Sequence, residues 1–136
     1  MSPRIWELDL IPAALLNTLM GAFWYGPLWG ELYQKAVHMS SADLEKIKAK
    51  GISHLFLLEF LGNMLFVTFY KALIVHFRLV NLEQIIGIGV AIWLGFIVPA
   101  QMSPIIWEGK NKTLLFIAAG HKLVSILLVG HIFCFI

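Results

Sequence analysis

Four long apolar runs constrain the fold of this chain more than any other feature of its sequence. They lie at about 10–30, 52–77, 85–107 and 113–136. Roughly 20 apolar residues are needed for a helix to cross the hydrocarbon core of a bilayer, and each run is long enough. Because lipid offers no hydrogen-bond partners, each run must satisfy its own backbone groups and is expected to be helical. The sequence therefore predicts an all-α integral membrane four-helix bundle, forming a single transmembrane domain over 1–136.

The composition supports burial in lipid and argues against several other classes of protein. Only 13% of the residues are Asp, Glu, Lys or Arg, whereas soluble domains average about 25%. A disordered chain would be polar and rich in charge. The net charge is only +2 and there is no basic stripe, so we expect no nucleic-acid partner. A single cysteine, Cys134, excludes a disulfide framework and a cysteine-based zinc site.

The charged residues of the linkers predict an orientation. Lys residues are concentrated in the first and third linkers, which the positive-inside rule places in the cytoplasm. Both termini are then non-cytoplasmic, and the membrane is the inner membrane if the source is bacterial. In the first linker, Ser40–Asp43 is typical of a helix N-cap and Gly51 of a helix end. We expect a short amphipathic cytoplasmic helix there, either on the membrane surface or in solvent.

Small residues recur at intervals of four in two of the runs. Gly87, Ala91 and Gly95 form one such ridge, and Gly26 and Gly30 form another. Ridges of this kind let the backbones of membrane helices approach closely. The sequence leaves open whether these ridges pack within one chain or between copies.

Polar residues interrupt the apolar runs, where they are energetically unfavourable and indicate function by default. At a rise of 1.5 Å per residue, all four runs place a polar residue in the cytoplasmic third of the membrane. This layer and its neighbours one turn away comprise Tyr25, Glu59, Asn63, Gln101, His121, Lys122 and Ser125. We expect Glu59 to accept hydrogen bonds from Lys122 or His121. The resulting network either fixes the helix register or lines a pocket for a ligand, proton or substrate.

The spacing of the histidines does not fit a two-haem site. Two haems stacked between helices need similar histidine spacings on both, but His54 and His76 are 22 residues apart and His121 and His131 are 10 apart. The zinc motif HExxH and the nucleophile motif GxSxG are both absent from the sequence. We therefore expect no cofactor and no metal.

The stretch Gly21–Gly30, with the sequence GAFWYGPLWG, resembles the WYGPLFG-like signature of domain-of-unknown-function family 1761, a family of small bacterial membrane proteins. Two later stretches, at 93–110 and 118–124, are similar to family segments in the same order. The resemblance implies four helices with a long first cytoplasmic linker. It brings no established activity, and no catalytic residues come with it.

Three roles are compatible with these observations. The first is association, as a homo-oligomer or as an accessory subunit of a larger membrane complex, because the short loops leave no soluble domain. The second is a membrane-embedded enzyme acting on a lipophilic small molecule by isomerisation, cyclisation or hydrolysis. In that role Glu59 and His121 would be an acid/base pair, with Lys122 or Tyr25 stabilising charge. The third is a proton-coupled transporter that works as a dimer.

Overall fold

The computed structural model describes residues 8–135, and these residues are helical apart from short connections. The helices are α1 (Leu10–Phe23), α2 (Gly30–Ala36), α3 (Ser41–Ala49), α4 (Ile52–His76), α5 (Leu82–Ile92), α6 (Val98–Glu108) and α7 (Lys112–Phe135). Two π-helical turns extend α1 and join α5 to α6, at Trp24–Leu28 and Trp93–Ile97. The described residues contain no strand, so the predicted all-α class is confirmed.

Three helical stretches are long and apolar enough to cross a membrane. They are Ile52–His76, Leu82–Glu108 and Lys112–Phe135. They coincide, within a few residues, with the second, third and fourth predicted runs. The first run is helical from Leu10 to Leu28, but only its first 14 residues are α-helical before the π turn begins. The chain thus has the helices of an integral membrane protein.

Local capping determines where the linker helix α3 begins. Ser40 Oγ accepts a hydrogen bond from the backbone N–H of Asp43, and the Asp43 carboxylate accepts one from the Ser40 N–H at 3.0 Å. This reciprocal arrangement satisfies two of the free N–H groups at the helix start. The hydrogen bonds from the Ser40 backbone and side chain hold the pKa of Asp43 below its ordinary value, because they stabilise the ionised form. Helix α3 therefore starts where the Ser40–Asp43 pattern predicts.

Helix α1 lies between α4 and α7 and runs antiparallel to both. Its register against α4 is set by two polar pairs, Asp9 with Lys71 and Asn17 with Asn63, which are eight residues apart on each helix. Small side chains on the buried face let the neighbouring backbones approach closely. The small buried residues of α1 are Ala13, Ala14, Asn17, Thr18 and Gly21.

At the other end of α4, a tyrosine joins three helices. The Tyr70 hydroxyl donates a hydrogen bond to the backbone oxygen of Ile85 at 2.9 Å. Two glycines provide the space for its ring, since a Cβ on Gly89 would lie 2.6 Å from the hydroxyl and one on Gly130 would lie 3.1 Å from it. This close packing makes the Tyr70 end of α4 part of the apolar core.

The predicted small-residue ridge of α5 does not pack within the chain. Gly87, Ala91 and Gly95 are all exposed. A Cβ on Gly87 or Gly95 would meet nothing within 4 Å among the described residues, and the same holds for Gly26. Packing inside one copy is therefore not the role of this ridge.

Candidate functional site

Two tryptophans, one from each π-helical turn, hold α7 in place. The Trp24 indole donates to the backbone oxygen of Ile117 at 2.9 Å, and the Trp93 indole donates to that of Ala119 at 2.7 Å. Residues two apart on a helix lie about 200° apart around its axis, so the two tryptophans bind α7 on opposite faces. They fix the rotation of α7 about its axis and so fix the direction of His121. Single π turns of this kind are frequent at functional sites.

The side chain of His121 is buried between α7 and α1. It is 2% exposed, and its Nε2 atom has no hydrogen-bond partner among the described residues. The ring fits there because α1 presents a glycine, and a Cβ on Gly21 would lie only 3.2 Å from Nε2. The Tyr25 ring packs edge-on against the imidazole, with 5.2 Å between the centroids. A buried polar atom without a partner is unusual in folded proteins and needs an explanation.

Glu59 brings a carboxylate close to this imidazole. The position of a Cβ on Gly21 lies 4.0 Å from Glu59 Oε1 and 3.2 Å from His121 Nε2, so these two side-chain atoms are at most about 7 Å apart. Glu59 itself is exposed, on the surface of α4. Its carboxylate and the His121 imidazole therefore approach the same point on α1.

Between α1 and α4 lies a cavity of about 280 Å³, which we call the α1–α4 cavity. Its lining is mostly apolar, with polar groups from Thr18, Tyr25 and Glu59. Gly21 also lines it, so the cavity ends on the glycine behind which His121 Nε2 lies. A ligand in this cavity would meet apolar side chains together with the Glu59 carboxyl and Tyr25, and only Gly21 would separate it from His121 Nε2.

Tyr25 separates this cavity from a second one, of about 300 Å³, between α2, α6 and α7. We call it the interfacial cavity because it lies where α6 ends and α7 begins. Its polar lining residues are Tyr25, Tyr33, Gln101 and Lys110. Tyr25 is thus the shared wall of two cavities and contacts both His121 and Tyr33.

A separate polar network joins α1 to α4 one turn from Gly21. Asn17 Nδ2 donates to Asn63 Oδ1 at 2.8 Å, and Asn63 Nδ2 donates to Thr18 Oγ1 at 2.9 Å. The Thr18 hydroxyl in turn donates to the Ala14 backbone oxygen. All three side chains are buried, so the network fixes how α1 and α4 align.

Comparison with protein-family models identifies the family of the chain. A family model described as protein of unknown function, DUF1761, matches residues 8–134. The chain belongs to this family. The match includes every site residue described above and confirms the family that the sequence resembles. No curated protein and no solved structure matches the chain. Since the function of the DUF1761 family is unknown, membership alone assigns no activity to the chain.

The structure of this DUF1761 protein brings together some of the predicted site residues and separates others. Tyr25, Glu59 and His121 surround Gly21, as described above. Gln101 lines the interfacial cavity instead. Lys122 is partly buried, and no described carboxylate lies within ion-pair distance of it. Within residues 8–135, no three His, Cys, Asp or Glu side chains are grouped as metal ligands.

Two other predicted residues have different surroundings. Asn63 belongs to the network with Asn17 and Thr18, neither of which sequence analysis had singled out. Ser125, one turn from His121 on α7, is buried, and its hydroxyl has no partner among the described residues.

Sequence analysis also missed a buried ion pair between Asp9 and Lys71. Both side chains are 6% exposed, and the Lys71 ammonium lies 5.1 Å from the centre of the Phe133 ring. Buried charges of opposite sign are stable only when paired. This buried ion pair fixes the far end of α1 against α4.

Proposed function

We propose that this protein is a four-span membrane protein with a proton-transfer site that a lipophilic molecule reaches from the bilayer. Leu10–Leu28 would be the fourth span, since its 14 α-helical and 5 π-helical residues cover roughly 27 Å. The antiparallel pairing of α1 with α4, from the buried ion pair to Gly21, supports this assignment. The first and third linkers would be cytoplasmic, with α3 on that membrane surface and both termini outside.

The unpartnered Nε2 atom of His121 is the observation that carries the proposed site. Leaving a buried nitrogen without a hydrogen bond is unfavourable by about 1–3 kcal/mol, so such an atom needs a reason. Here the atom faces Gly21 at the end of the α1–α4 cavity, and Glu59 reaches the same point. A bound molecule with one polar group would supply the missing partner.

The chemistry that suits this arrangement is proton transfer to and from carbon. Glu59 Oε1 and His121 Nε2 are at most about 7 Å apart, close enough for one substrate to contact both atoms. Neutral His121 would take a proton from one carbon, breaking its C–H bond, while the Glu59 carboxylic acid donates its proton to another carbon. The double bond moves, no atom is gained or lost, and a proton passing from His121 back to Glu59 restores the site.

Deuterium exchange tests this proposal and needs no candidate substrate. The purified protein in lipid vesicles would be incubated in heavy water with a total lipid extract of its host membranes, and the lipids analysed by mass spectrometry. We expect one lipid class to gain deuterium with the wild-type protein, and not with His121→Gln or Glu59→Gln. His131→Gln is the matched control, because His131 is an exposed histidine on the same helix. If no lipid gains deuterium, or if His121→Gln is as active as the wild type, the proposal is wrong.

A second role, self-association, is favoured by the exposed ridge of α5. Gly87, Ala91 and Gly95 offer a smooth surface that nothing in the described chain covers. Such surfaces are the usual contact between membrane helices of separate chains. We propose that two copies meet there. Replacing Gly87 by Leu should then abolish energy transfer between labelled copies in vesicles, whereas Gly62→Leu, at an equally open position on α4, should not. Equal energy transfer in both variants would refute this second role.

A further inference from the structure

A third cavity lies in the apolar part of the molecule, between α4 and the segment joining α5 to α6. Its volume is about 320 Å³, and we call it the apolar cavity. Tyr70 is its single polar lining side chain, and the Tyr70 hydroxyl is already bound to a backbone oxygen. The cavity therefore offers a ligand contact with carbon atoms only.

Two neighbouring helical segments lead from the apolar cavity to the interfacial cavity. Ile97 lines the apolar cavity, and Gln101, one turn further along α6, lines the interfacial cavity. On α7, Ile126 lines the apolar cavity and Ala118 lines the interfacial one. Lys122 lies midway between these two, four residues from each and so on the same face of the helix. Lys122 is thus placed between the two cavities, and we call the surface of α6 and α7 that runs from one cavity to the other the cleft.

The cleft contains a lysine without a carboxylate partner among the described residues. Lys122 is partly buried, and no carboxylate among residues 8–135 lies within ion-pair distance of its ammonium. Lys110, in the interfacial cavity, is already paired with Glu108 at 3.1 Å. Ten residues into α7, Lys122 is roughly 15 Å along the helix from its start at Lys112. A positive charge at that depth in a membrane helix calls for an anionic partner.

We propose that this cleft binds a single-chain amphiphile with an anionic head group. Its tail lies in the apolar cavity, and its carboxylate or phosphate head meets Lys122, with Gln101 at the polar end of the cleft. A volume of about 320 Å³ is at the lower end for small-molecule sites, which favours one acyl chain over two. The proposal does not depend on proton transfer at His121, because it rests on charge and cavities along α6 and α7.

Photolabelling in nanodiscs of a zwitterionic lipid tests both the position and the charge of the ligand. The probe is dodecanoate with a diazirine at the end of its tail, and labelled peptides are identified by mass spectrometry. We expect concentrated labelling at the apolar cavity, around Phe69 and Ile97. Dodecanoate and dodecyl phosphate without the diazirine should both compete if any anionic head suffices, and competition by one alone identifies the head group. Dodecanol, which is neutral, should not compete. Labelling spread evenly over the lipid-facing residues, or equal competition by dodecanol, would overturn the proposal.

Matched variants test separately the contribution of the Lys122 charge and that of the apolar cavity to binding. Lys122→Gln should weaken labelling roughly tenfold, the effect of one charge-assisted hydrogen bond, whereas Lys112→Gln, at the exposed start of the same helix, should leave it unchanged. Leu65→Trp should fill the apolar cavity and block labelling, whereas Leu61→Trp, one turn away and also exposed, should not. If Lys122→Gln and Lys112→Gln bind alike, Lys122 does not hold the head group and the proposal fails. Since only binding is measured, the result is independent of the deuterium experiment.

Discussion

Replacing Gly89 by alanine provides a quantitative test of the packing around Tyr70. A Cβ at this position would lie 2.6 Å from the Tyr70 hydroxyl and would also overlap Ile126. The hydroxyl has no free direction in which to move, because it is bound to the backbone oxygen of Ile85. Overpacking of this kind destabilises by about 1–3 kcal/mol. Loss of the tyrosine hydrogen bond would add about 1 kcal/mol.

The matched control for this change is Gly87→Ala, two residues earlier on the same helix. A Cβ on Gly87 meets nothing within 4 Å among the described residues, so within one copy only the helix preference of alanine over glycine remains. That preference stabilises by about 0.5–1 kcal/mol and acts in both variants. Gly89→Ala should therefore be less stable than Gly87→Ala by about 2–4 kcal/mol, the combined effect of the clash and the lost hydrogen bond.

Unfolding of the two variants by sodium dodecyl sulfate in mixed micelles, followed by circular dichroism, measures this difference. Adding Tyr70→Phe to Gly89→Ala should recover part of the lost stability, because the overlap with the hydroxyl disappears while that with Ile126 remains. If Gly87→Ala and Gly89→Ala differ by less than about 0.5 kcal/mol, α5 does not pack against Tyr70 as described.

Two further predictions concern hydrogen bonds of the fold. A double-mutant cycle with Asn17→Ala and Asn63→Ala should give a coupling of about 0.6–1.7 kcal/mol in the same unfolding assay, the range for hydrogen bonds between membrane helices; additive effects would refute the network. The lowered pKa of Asp43 means that its capping interaction is fully present above the ordinary value of 3.8 and is lost as the pH falls through the lowered value. The amide chemical shift of residue 43 should therefore change only below about pH 4 in the wild type. In Asp43→Asn it should stay constant over the same pH range. A wild-type shift that changes near neutral pH would contradict this prediction.

The sequence was sufficient to predict the long helices and α3, because each depends on its own residues, but it did not predict α2 or the two π-helical turns. Apolar length predicted four spans, and three of them coincide with helices that are long and apolar enough to cross a membrane. The Ser40–Asp43 pattern predicted the start of α3. Depth along the predicted membrane helices placed Tyr25, Glu59 and His121 in one layer, and these three residues surround Gly21. Depth follows from position along a helix, which sequence provides.

Partners across helices could not be predicted in the same way, because depth does not say which face meets which. Asn63 was assigned to the layer of Glu59, but its hydrogen bonds go to α1. Likewise, depth along α4 did not indicate that Lys71 is buried with Asp9 of another helix end. The spacing of polar and glycine residues in the sequence did indicate how α1 and α4 pair. Polar or glycine positions 9, 17 and 21 on α1 are separated by eight and four residues, and so are positions 71, 63 and 59 on α4. Equal spacing on two antiparallel helices places these positions opposite one another.

The same register determines from which side protons could reach the proposed site. Between the buried ion pair and the Asn17–Asn63 network lies a layer of Ala13, Val67 and Val129, none of which is exposed at all. Such a layer holds no group that could pass a proton or bind water, because dry cavities in proteins are the apolar ones. On the other side of His121, Tyr25 adjoins two cavities, one of them lined by polar side chains. Proton exchange at His121 would therefore take place from the side of the interfacial cavity, and the buried ion pair at the opposite end of α1 would take no part in it.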